Sequence, residues 1–165
     1  MRRSLRKGVL AAAVFLPALG SVAAQDQQGQ DQRGQEHQRI EGVWDVSVTV
    51  VSCSTGAPTS TIPHIAFLMF ADGGTVTEIS EGSNRSAGVG TWRHLSGSTY
   101  TNREVYYGYS AFGPGTANGT TVITREIELG KNANEYTSYA TSDFYDTNGN
   151  LTNTVCATAT ATRFE

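Results

Sequence analysis

From Leu151 to Phe164 the chain reads LTNTVCATATATRF. Thr152, Thr154, Cys156, Thr158, Thr160 and Thr162 fall on one parity; Leu151, Val155, Ala157, Ala159, Ala161 and Arg163 fall on the other. Period two is the signature of a β-strand, whose successive side chains point to opposite faces. A helix would mix the alanines and threonines around its axis. The run therefore calls for a sheet, with the alanine face covered. Three alanines in succession leave room on that face, which a larger side chain opposite or a ligand has to fill.

A partner for this strand lies at the other end of the folding region. GVWDVSVTVV, from Gly42, puts Trp44, Val46, Val48 and Val50 on one face and Asp45, Ser47 and Thr49 on the other. If the strand stays regular, Cys53 shares the polar face. In an antiparallel pair the numbers of facing residues sum to a constant. Trp44 with Arg163 gives 207 and Cys53 with Cys156 gives 209. Parity and face agree, and one diagonal step or bulge reconciles the two sums. The expectation is a barrel closed by its first and last strands, with Arg163 stacked on Trp44 in a cation–π contact of about 1–2 kcal/mol. Cys53 and Cys156 are the two cysteines present. In an exported chain an even count makes one disulfide the default. Closing so long a loop is worth up to about 4–5 kcal/mol in the chain-entropy model.

Between these ends, apolar or β-branched runs at about 62–70, 74–80, 88–95, 99–110, 119–129 and 135–145 alternate with TGAP, DGG, GSNRSAG, SGS, GPGTANG, GKNAN and DTNGN. Gly, Asn and Asp supply the backbone conformations that tight turns require. With the two end strands this makes eight. Connections this short favour consecutive pairing. The predicted fold is all-β: an eight-stranded antiparallel up-and-down β-barrel spanning residues 40–165, with no significant helix.

Gly42-x-Trp44 on the first strand, with Arg163 near the end of the last, resembles the signature of the lipocalins and the wider calycin group. The resemblance covers the number and order of strands and both ends of the domain. It implies a bacterial, secreted, lipocalin-like barrel and an interior that holds a small lipophilic molecule.

Residues 1–24, MRRSLRKGVLAAAVFLPALGSVAA, have the basic start, short apolar run and small-residue end of a secretory signal peptide. The apolar run is shorter than the roughly 20 residues of a membrane anchor. Residues 25–39, QDQQGQDQRGQEHQR, hold no apolar side chain and read as a disordered, Gln-rich linker. The expected location is the periplasm or the extracellular space. Residues 40–165 carry six Lys/Arg against twelve Asp/Glu, a balance of −6 that the whole-chain value of −3 conceals. An acidic domain without a basic patch argues against nucleic acid and against an anionic membrane surface as partners.

The candidate ligand-binding residues are Trp92, Tyr100, Arg125, Tyr136, Ala157 and Ala159. TTVITREIELG puts Ile123, Arg125, Ile127 and Leu129 on one apolar face, which carries a guanidinium inward. Such a charge needs a partner, Glu104 or a ligand carboxylate. The plainer alternative is a rim arginine that snorkels to water. His64 and His94 have no partner at a diagnostic spacing and read as rim or surface histidines. Asn84-Arg85-Ser86, Asn118-Gly119-Thr120 and Asn150-Leu151-Thr152 match the glycosylation pattern and fall in or beside turns. No CxxC or HxH spacing, nucleotide loop, nucleophile elbow or paired catalytic carboxylate occurs, so no metal, cofactor or catalytic residue is assigned. Three functions fit: a carrier of a small hydrophobic molecule; a module that binds a secreted protein, such as a hydrolase inhibitor; and a small-barrel cyclase or isomerase built on Arg103, Glu104, His94 and Arg125. A cavity of a few hundred Å³ separates the first and third from the second. Buried, converging ionisable groups weigh toward the third.

Overall fold

The computed structural model describes residues 39–82, 84–109 and 116–164. The expected signal peptide and the Gln-rich segment up to residue 38 lie outside them. Eight strands follow in order: β1 (Gly42–Val51), β2 (His64–Ala71), β3 (Thr75–Ser80), β4 (Gly88–Ser96), β5 (Thr99–Tyr109), β6 (Ala117–Leu129), β7 (Glu135–Tyr145) and β8 (Leu151–Arg163). Each pairs antiparallel with the next, and β8 returns to β1, so the barrel is closed. The described residues contain no helix. This is the predicted all-β, up-and-down architecture, and it fits a lipocalin-like fold. Closure removes every exposed sheet edge.

The seam has the expected register. Trp44 faces Arg163 and the pairing runs without a break to Val51 and Cys156. β1 ends there, and Cys53 stands two residues further on, in a turn. The Cys53–Cys156 disulfide therefore crosses diagonally, with 5.1 Å between the Cα atoms. It ties the 52–60 loop down over Cys156, which lies on the outer face of β8 yet is 2% exposed. A disulfide fits an oxidising environment.

One end of the barrel is plugged. The Trp44 and Tyr136 rings meet at 4.8 Å, tilted by 59°, and Phe70 meets both Trp92 and Tyr136 edge-on. Arg163 covers the plug with its guanidinium 4.4 Å from the Trp44 ring. It also donates to the carbonyls of Arg39, Glu41 and Ala133 at 2.6–3.1 Å. Trp44 Nε1 donates to Ile40 O at 2.8 Å. Gly42 makes this possible: a Cβ there would collide with Arg163 Nη1, and its φ of +131° is one that side-chain-bearing residues rarely adopt.

Candidate functional site

Moving away from the plug, side chains inside the barrel shrink. β7 runs Tyr136, Ser138, Ala140, Ser142 and β8 runs Ala161, Ala159, Ala157 along their inner faces. The space so released is a cavity of about 300 Å³. Val48, Val50, Ile123, Ala140, Ala157 and Ala159 wall it; His64, Glu81 and Asn84 stand at its mouth. A wider groove of about 530 Å³ runs over the outer face between Ser47, Thr49 and Thr158. Glu126, Glu128 and Tyr139 on its lining are exposed, and the groove lies open on the barrel surface.

Toward the plug, the cavity ends on a cluster of charges. Arg125 Nη2 donates to Glu78 Oε2 at 2.8 Å; its Nη1 donates to Glu104 Oε1 at 3.1 Å and to Asn102 Oδ1 at 3.3 Å. Arg85, from the β3–β4 connection, pairs with the other oxygen of Glu78 and lies 3.9 Å above the Tyr106 ring. Gly88 on β4 leaves the space: a Cβ there would sit 3.3 Å from Glu78 Cβ and 3.6 Å from the Glu104 carboxyl. Arg125 is 4% exposed. It is thus no snorkelling rim arginine, as the plainer sequence reading had it, because its partners sit on β3 and β5 inside the barrel and hold the guanidinium there.

The two carboxyls titrate far apart. Burial works to raise both. At Glu78 the Arg125 guanidinium, then a hydrogen bond from Glu104 and then the Arg85 guanidinium outweigh it, and the group falls to about 2. At Glu104 burial prevails over its single guanidinium, Arg125, and the Glu78 charge adds to it, so the group rises to about 8. At neutral pH Glu78 is ionised and Glu104 holds a proton. Burial likewise raises the Tyr136 hydroxyl. Arg125, flanked by both carboxyls, stays protonated.

The residues proposed from sequence separate into two groups. Arg125, Ala157 and Ala159 border the cavity. Trp92, Tyr100 and Tyr136 pack at the plugged end, where Trp92 and Tyr100 lie 5.9 Å apart. Among the residues considered for catalysis, Glu104 and Arg125 meet. Arg103 faces outward, and His94 lies against Tyr100 with Nε2 2.8 Å from Gly97 O. Sequence reasoning missed Glu78 and Arg85. β3 reads TVTEIS and has apolar residues on both parities, Val76 and Ile79, so its inner face is not readable. Arg85 sits in a turn whose only visible pattern is a sequon.

The Glu104 side chain, raised by burial to about 8, has 0% exposure and does not border the cavity. At the base of the cavity stand the Glu78 carboxylate and two guanidiniums paired with it, while His64, Glu81 and Tyr106 also lie on its lining. The arrangement is built to hold a polar group more than to move a proton. Among the described residues no group of three or more His, Cys, Asp or Glu gathers to hold a metal ion. No protein-family model matches the chain, and no curated protein matches it.

Proposed function

We propose that this protein is an exported, lipocalin-like binding protein that holds a small, largely apolar molecule inside its barrel. The observation that carries the reading is the cavity of about 300 Å³, apolar on its walls, closed at one end by aromatic packing and open at the other. Its volume is at the lower end of the range for ligand pockets. The leader-like N-terminus and the disulfide support export to the periplasm or beyond. A hydrolase-inhibiting module would work with a filled interior; the cavity weighs against it.

The test is native mass spectrometry of the oxidised protein, followed by titration with a fluorescent lipophilic probe. Saturable one-to-one binding that Ala159→Phe abolishes is expected. A clean apo mass with no probe binding would sink the carrier reading.

A second reading, an isomerase or cyclase, is favoured by the separation of Glu78 and Glu104 titration, the pattern of an acid–base pair. It requires Glu104 to reach a bound molecule from beneath the cavity. Turnover of the co-purified molecule that Glu104→Gln stops would support it.

A further inference from the structure

The cavity is apolar at its walls and cationic at its base. Arg85 and Arg125 both border it; of the two buried carboxyls only Glu78 does. Two polar atoms on bordering side chains, Arg85 Nε and Ser138 Oγ, are buried with no hydrogen-bond partner among the described residues. Asn102 Nδ2 and Tyr136 Oη, belonging to side chains that do not border the cavity, are in the same state. Guanidinium, amide and hydroxyl groups all donate. Leaving buried donors unmatched is costly. The base is therefore rich in donors and short of acceptors, and an oxyanion would supply what it lacks.

We propose that the cavity takes a small carboxylate amphiphile, with its hydrocarbon body against Val48, Ala157 and Ala159 and its carboxylate on Arg85 and Arg125 as a second counter-ion beside Glu78. This rests on the carrier reading and adds the head group to it. Facing Glu104 are Glu78 from β3, with Arg85 joined to it, Arg125 from β6 and Tyr136 from β7. β4 presents Gly88 and Gly90, and the inner faces of β1, β2 and β8 offer Val46, Leu68 and Ala159. His64 and Glu81 stand out at the mouth, and Tyr106 lies under Arg85. With Glu104 protonated at neutral pH, two cations face one anion. Once Glu104 ionises, near pH 8, it supplies the missing negative charge from within. A bound carboxylate and an ionised Glu104 thus compete for the same role. Binding holds the proton on Glu104, and affinity falls as pH rises from 7 to 9.

The experiment is calorimetric titration of the oxidised protein with carboxylates from hexanoate to decanoate and with the matching 1-alkanols. At pH 7 the best carboxylate is expected to saturate one site and to bind about tenfold or more tightly than its alcohol, the scale of a charge-assisted hydrogen bond. Arg85→Gln removes that preference, because Glu78 alone then balances Arg125; the urea-unfolding midpoint of the variant reports that the barrel is intact. Carboxylate affinity falls several-fold between pH 7 and 9 in the parent and stays flat in Glu104→Gln. Alcohols that match or outbind the acids, or a preference that survives Arg85→Gln, overturn the head-group assignment and leave the carrier reading standing. A pH dependence that persists in Glu104→Gln overturns the counter-ion competition. If neither series binds at any length, both readings fall.

Discussion

At Arg125 a guanidinium lies 4% exposed on a strand face it shares with Ile123, Ile127 and Leu129. Three acceptors from two other strands offset the cost of taking it out of water. Removing the cation leaves Glu104 with no guanidinium and Glu78 with only Arg85, so Arg125→Leu should cost about 3–5 kcal/mol in urea unfolding. Glu104 gives the opposite case. Its folded value of about 8 lies above its ordinary 4.5. Between those values the fold binds a proton that the unfolded chain has released, so stability falls as pH rises through that window. Glu78, lowered to about 2, contributes stability that is present above about 4.5 and is lost as pH falls toward 2. The melting temperature should therefore drop between pH 5 and 8, and Glu104→Gln should flatten that limb alone. Thermal scans across the range check it. Period two in β6 made the inward face of Arg125 legible. Its partners were not, because neither β3 nor the 81–87 connection has a pattern that points inward.

The β1–β8 seam shows an element specified almost entirely by its residues. Alternation fixed both inner faces, and the summed numbers of Trp44 and Arg163 gave the register that the whole seam follows. The seam's two locks act at different heights. Arg163 binds three backbone carbonyls with a planar fork that a lysine cannot reproduce. Arg163→Lys should lose about 1–3 kcal/mol; Gly42→Ala, which places a methyl on the Arg163 fork, should lose a comparable amount. Chemical denaturation measures both. At the other end, Cys53→Ser with Cys156→Ser should cost up to about 4–5 kcal/mol. Faster amide exchange in β1 near Val51, with little change near Trp44, would show that the two locks are local.

For the molecule as a whole, the hollow is a balance between binding and stability. A cavity forfeits the contacts its walls would otherwise make. Ala159→Phe should therefore abolish probe binding while changing stability by no more than about 1–2 kcal/mol, with a gain if the ring fits the space. Denaturation and titration of the same variant separate the two effects. A variant that loses binding only because it unfolds would show that the alanine wall is structural packing.

The sequence by itself determined the number of strands, their order, the inner face of β1, β6 and β8, the closing register and the disulfide. All of these follow from local rules: period two, turn chemistry, and two cysteines whose parity matches that of the tryptophan and arginine. The tertiary structure alone decided what those faces enclose. The alanines of β8 promised space, but only the packed barrel set the large aromatics Trp92, Tyr100 and Tyr136 at the plugged end and left the hollow above them. The charged base joins Glu78, Glu104, Arg125 and Arg85 from three strands and a turn. A period read along one strand says which side a residue faces; it cannot say at what height along the barrel axis residues from other strands will meet it.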